Sequence, residues 1–76
     1  MPKLGPTSWR EQVKVFERYG CVFQRQKGDH LIYHHPKAIR PVVIPQYEEV
    51  PVTIILTNMR TVGMSREEYF ELLEEV

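Results

Sequence analysis

All three histidines of this 76-residue chain fall within residues 24–36, "QRQKGDHLIYHHP", beside Arg25, Lys27 and a lone glycine, Gly28. Imidazoles and cations in so short a run, with a cysteine just upstream at position 21, raise three kinds of chemistry. The first is metal binding. Zinc ligands must converge on a point about 2 Å from each donor atom. On a strand, His30 and His34 share a face but stand about 13 Å apart, and His34 and His35 point to opposite faces. With one cysteine in the chain and no second cluster of ligands, the spacing argues against a metal site within one chain. The second is nucleophilic catalysis by Cys21. That thiol follows a helix-ending glycine and opens a strand, with nothing near it in sequence to lower its pKa, so a core position is expected.

The third is acid–base chemistry on a phosphodiester. RNA carries its own nucleophile, the 2′-hydroxyl, so a catalyst has only to move protons and stabilise the extra charge on phosphorus. Imidazole titrates near neutrality and suits the first task; lysine and arginine suit the second. His30 comes directly after a Lys27-Gly28-Asp29 corner, where a strand would hold the ring firmly yet leave it reachable. Lys27 and Arg25 lie on the same hairpin, and Gly28 lets a phosphate approach the backbone closely. His30 is therefore the candidate catalytic residue, with Lys27, Arg25 and Gly28 as candidate RNA-binding residues and no cofactor required. His34 and His35, beside a turn proline, read as surface residues, and on spacing alone the same reading of an ordinary surface histidine on an exposed strand stays open for His30. Two other readings use the same hairpin. A non-catalytic RNA-binding module would show salt-dependent binding without cleavage, and a purely protein-binding domain would show negligible RNA affinity.

The elements that must position these residues are legible in the pattern. Ser8-Trp9-Arg10-Glu11 has the form of a capping box. Trp9, Val13 and Phe16 then make one apolar helix face reaching to about Tyr19, with Gly20 ending it. Residues 21–27 and 30–35 read as strands joined by the tight Gly28-Asp29 connection. Residues 40–45, "RPVVIP", form a third strand that its prolines confine to a short or edge position. Residues 46–52 are a loop, Thr53 is the expected cap of a second helix with Ile55, Met59 and Val62 on one face, and Gly63 closes it. Ser65-Arg66-Glu67-Glu68 is another capping box, opening a helix that buries Tyr69, Leu72, Leu73 and Val76. The expectation is an α+β fold, with helices on one face of a three-stranded antiparallel sheet. Leu31 and Tyr33 point one way and Ile32 the other, so both faces of the sheet carry apolar groups. Either the terminal segments cover more of the sheet than the pattern shows, or a partner chain meets the outer face.

Length and composition agree with one domain spanning residues 1–76. Hydrophobic residues make up 42% and charged residues 26% of the chain, too apolar for disorder. The single cysteine cannot form an internal disulfide, no apolar run approaches about 18 residues, and the N-terminus lacks a signal-peptide core, so a cytoplasmic protein without membrane contact is expected. Net charge is zero, yet residues 1–40 carry eight cations against three anions (+5) while residues 41–76 carry two against seven (−5). That asymmetry points to a basic working surface and an acidic face, while the acidic run from Glu67 to Glu75 reads equally as the solvated side of a terminal helix.

The stretches "SWREQVKVFERYGCVFQRQKGDHLIYHHP", "RPVVIP" and "GMSREEYFELL" resemble the HicA (YcfA-like) family of small toxins from prokaryotic toxin–antitoxin pairs, over nearly the whole chain. The most specific part is Arg-Gln-Lys-Gly-x-His, residues 25–30, preceded by Gly20 after a helix. The resemblance implies a fold like the double-stranded-RNA-binding domain, ribosome-independent cleavage of messenger RNA (an mRNA interferase), and catalysis by the histidine corresponding to His30. It also implies a HicB-type antitoxin that binds the toxin and covers that residue. This chain departs from the family at Asp29, where serine is common, and at Tyr47, where the family often shows Pro-x-His. A carboxylate at 29 attracts an imidazolium and repels phosphate. If that second histidine assists catalysis in relatives, Tyr47 replaces it only as a hydrogen-bond donor; otherwise Tyr47 reads as a packed loop aromatic.

Overall fold

The computed structural model describes residues 3–76. Its elements run α1 (Trp9–Arg18), β1 (Val22–Lys27), β2 (His30–His34), β3 (Val42–Pro45), α2 (Val52–Val62) and α3 (Arg66–Glu75). The strands form one antiparallel sheet in the order β1-β2-β3. This is the α+β arrangement expected from the sequence pattern, consistent with a double-stranded-RNA-binding-domain-like fold.

Local chemistry sets the helix ends. The Ser8 hydroxyl accepts from the Glu11 N–H at 3.3 Å, so only the serine half of that capping box forms. Both halves form at α3, where Ser65 accepts from the Glu68 N–H at 3.1 Å and donates its own N–H to the Glu68 carboxylate at 2.8 Å. At the end of α1, Gly20 takes φ 108°. The N–H of Gly20 then reaches Glu17 O at 3.0 Å and that of Cys21 reaches Phe16 O at 2.9 Å. This double bond pattern satisfies carbonyls the helix would otherwise leave open. Helix α2 departs from expectation: Pro51 is its N-cap, with no side-chain cap bond, and Thr53 lies inside the first turn. The fixed φ of proline suits it to a helix entrance, which displaces the start ahead of the threonine.

The buried face of α1 is Gln12, Val15 and Phe16, rotated from the Trp9–Val13–Phe16 stripe expected. Gln12 tolerates burial because its amide donates to the hydroxyls of Thr7 and Tyr69. Trp9 stays half-buried, with the Arg10 guanidinium 4.7 Å from its ring centroid. Val15 and Phe16 are fully buried, each stabilising the fold by about 1.5–3 kcal/mol. They meet Leu31 and Tyr33 of β2, Val42 and Ile44 of β3, Ile55 and Met59 of α2 and Tyr69 of α3 in one core. Cys21 belongs to it as well, and burial pushes its thiol up to about 11. The Tyr33 hydroxyl donates to Glu17 at 3.2 Å, and burial, then the Glu17 charge, pushes it up to about 12.

Strand β3 is short and lies at the sheet edge, as its prolines require. Its outward backbone is nevertheless occupied. The Asn58 side chain on α2 accepts from the Val43 N–H at 3.3 Å and donates to the Val43 carbonyl at 2.9 Å. One amide thus imitates a neighbouring strand, closes this edge and holds α2 beside it.

Candidate functional site

Cross-strand pairing determines which side chains share a face. His30 lies between Lys27 on β1 and Pro45 on β3, and Ile32 between Arg25 and Val43. The face turned away from the core therefore carries Arg25, Lys27, His30, Ile32, His34 and Val43 together. Between Phe23 and Arg25 the register slips by one residue, a β-bulge at Gln24. The bulge lets Phe23 pair with Tyr33, their rings 5.5 Å apart edge to face, while Arg25 stays on the His30 side.

The corner itself is tight. Gly28 has φ 61° and no other residue except glycine has a positive φ among those described, so Asp29 does not share the left-handed conformation. Glycine at the first central position and an ordinary residue at the second is the pattern of a type II′ hairpin turn. A Cβ on Gly28 would meet nothing within 4 Å; the requirement for glycine is conformational and its surroundings are open. The corner is also tied down from behind. Gln26 Nε2 donates to Gly28 O at 2.9 Å and to Gln46 Oε1 at 3.1 Å. The Gln46 N–H donates to Asp29 O at 2.8 Å.

His30 is half-exposed. Its Nδ1 lies 2.9 Å from Asp29 Oδ1, with side-chain exposures of 44% and 62%. A carboxylate at Nδ1 favours the tautomer that carries its proton there, leaving Nε2 as the basic nitrogen of the neutral ring. The Tyr47 ring stands edge-on to His30 with centroids 6.5 Å apart, and Tyr47 is 41% exposed. It is a neighbour of the candidate catalytic ring rather than the packed loop aromatic expected. Beyond His30 a groove of about 400 Å³ opens between β3 and α2, lined by His30, Arg40, Val43, Pro45, Ile54 and Thr57 among others. Nothing in local sequence pattern announces it, because its walls come from segments far apart in the chain.

The three histidines separate in role. His34 pairs with Val22 at the far end of the hairpin. His35 packs against Tyr19 with centroids 5.5 Å apart, and its Nδ1 accepts from the Lys37 N–H at 3.1 Å. Its ring also passes 3.5 Å from where a Cβ on Gly20 would sit, making it a packing residue at the end of α1. Among the described residues no group of three or more His, Cys, Asp or Glu side chains converges as metal ligands would, and no helix is long and apolar enough to cross a membrane.

A small α+β domain with a basic hairpin and an accessible imidazole at its corner defines the class. Residues 9–64 match the family described as HicA toxin of bacterial toxin–antitoxin. That is well over half of the chain, which therefore belongs to the HicA toxin family. Membership supports a toxin role and implies an antitoxin partner. No curated protein matches the sequence.

Proposed function

We propose that this chain is a metal-independent RNA endonuclease, the toxin of its pair, which cleaves messenger RNA in the cytoplasm by acid–base catalysis at His30. The observation that carries the reading is the half-exposed imidazole, oriented through Nδ1 by Asp29 and directly opposite Lys27 on the same open face. In the proposed step His30 Nε2 takes the proton of a ribose 2′-hydroxyl as that oxygen attacks the adjacent phosphorus. The P–O5′ bond breaks, the leaving oxygen takes a proton from water, and the products are a 2′,3′-cyclic phosphate and a free 5′-hydroxyl. Lys27, with Arg25 one row along the face, offsets the charge that builds on the phosphorane. The open backbone at Gly28 lets the phosphate come close.

Asp29 is a positioning residue in this account: it touches the ring rather than the substrate. A single-stranded RNA fits the site better than a duplex, because the reacting ribose must lie across the sheet face where its 2′-oxygen can approach Nε2. Val22, Phe23, Ile39 and Tyr47 are exposed large hydrophobic residues, and the first two border the basic hairpin. A HicB-type antitoxin that covers the His30 face would bury Val22, which shares that face through its pairing with His34, and Tyr47 beside the ring; Phe23, paired with Tyr33, lies on the other face. The test is growth. Induced wild-type protein should arrest cells and His30→Ala should not, while both purified proteins melt alike. A folded His30→Ala protein that still arrests growth would overturn the mechanism.

A further inference from the structure

The groove beside His30 continues to a pair of arginines that the proposed reaction does not use. Its floor is apolar, formed by Pro41, Val43, Pro45 and Ile54. An adjoining depression of about 340 Å³ is lined by Arg40, Arg60, Thr57 and Thr61. Arg40, Thr57 and Thr61 line both, so the two form one continuous path. The arginines are exposed, and among the described residues neither forms an ion pair with a carboxylate. The Thr57 and Thr61 hydroxyls donate to Thr53 O and Thr57 O, each at 2.9 Å, which leaves the arginines as the groups that donate to a ligand in this depression.

Arg40 comes from the loop before β3 and Arg60 from the last turn of α2. Asn58 fixes these segments together through Val43. A groove of this volume is in the ordinary range for a small-molecule moiety. An apolar floor suits a flat ring, and unpaired guanidiniums suit a phosphate.

We propose that this groove is a nucleotide subsite. The base next to the scissile bond lies on Pro41, Val43 and Ile54, and the following phosphate is held by Arg40 and Arg60. The inference deepens the RNA reading of the face and rests on it only for the polymer, since binding here requires no cleavage. An RNA strand then crosses the sheet from Lys27, past His30, to α2. Charge favours this occupant over an antitoxin helix laid in the groove: two cations stand at one end and a third, Lys27, beyond the other.

The experiment uses the His30→Ala protein, which keeps RNA intact, titrated with a short single-stranded oligoribonucleotide and followed by amide NMR and by anisotropy at several salt concentrations. The expected result is shifts at Val43, Ile54 and Thr61, about tenfold weaker binding by Arg40→Ala/Arg60→Ala, and a salt slope shallower by about 0.7 for one lost phosphate contact. Thr57→Trp, which fills the groove from an exposed helix position, should weaken binding without changing that slope. RNA that binds with shifts confined to residues 25–30, or an unchanged salt slope in the double variant, would overturn the subsite while leaving catalysis at His30 intact. Groove shifts in a protein whose wild-type form never cuts RNA would uphold the subsite and remove the nuclease. If Thr57→Trp blocks only a co-expressed antitoxin and not RNA, the groove belongs to the protein partner and the proposal fails.

Discussion

Replacing Asn58 with alanine tests how the groove is held open. Asn58 is 5% exposed, and its amide makes two bonds to the Val43 backbone, at 3.3 and 2.9 Å. Each such bond stabilises the fold by a net of about 0.5–1.5 kcal/mol. Truncation also uncovers a strand edge, but the adjoining groove admits water to the freed Val43 groups, so the desolvation penalty is partly relieved. The expected loss is about 2 kcal/mol. In a domain of this length each kcal/mol moves Tm by about 4–8 °C, so Asn58→Ala should melt about 8–16 °C lower. Thermal unfolding by circular dichroism at fixed protein concentration measures it, with Thr57→Ala as the control. Thr57 also makes one hydrogen bond, but on an exposed helix surface, so its removal should change stability by about 0.5 kcal/mol or less. The freed edge adds a second signature: Asn58→Ala should associate at concentrations where the parent is monodisperse. A Tm within about 2 °C of the parent, with no association, would refute the argument that this side chain closes the sheet.

Gly28→Ala places a Cβ at φ 61° with no steric neighbour, so the whole effect is backbone strain of about 1–2 kcal/mol, and an alanine variant as stable as the parent would contradict the turn geometry. With its thiol raised to about 11 by burial, Cys21 should resist alkylation at pH 8 in the native protein and react within the dead time once unfolded in denaturant. The Glu68 carboxyl is held below the usual carboxylate range, chiefly by the Ser65 N–H and then by the Ser65 hydroxyl. Its folded pKa being the lower one, its contribution is complete above the unfolded value of about 4.3 and is lost as pH falls through the folded value. Melting temperature should therefore fall less steeply for Glu68→Gln than for the parent below pH 4.3 or so, and parallel pH profiles would contradict that assignment.

Features set by neighbouring residues were readable from the chain; features set by distant ones were not. The hairpin at Gly28, the edge position of residues 42–45 and the core placement of Cys21 follow from short patterns, and the structure has all three. The placement of His30 beside Lys27 needed only the length of the turn. Thr53 misled because a good capping side chain gave way to Pro51, whose backbone already has the right φ. Gln12 was missed because its burial depends on Tyr69, 57 residues away. The same holds for the Asn58–Val43 clamp across 15 residues, and for Arg40 and Arg60, which nothing in local periodicity brings together. The bulge at Gln24 leaves no glycine or proline to mark it. Of the candidate site, the placement of His30 at the hairpin corner was legible and the groove beside it was not, because the groove exists only once α2 has packed along β3.

Catalysis at His30 requires that its ring move the proton of a 2′-hydroxyl. The direct measurement is incubation of purified wild-type and His30→Ala protein with an end-labelled single-stranded RNA in chelator, with the ends of the products identified. Wild-type protein should leave 2′,3′-cyclic phosphate and 5′-hydroxyl ends, and His30→Ala should be slower by about 10²–10⁴-fold. Equal cutting by both proteins, or cutting of an RNA whose scissile nucleotide lacks its 2′-hydroxyl, would contradict it.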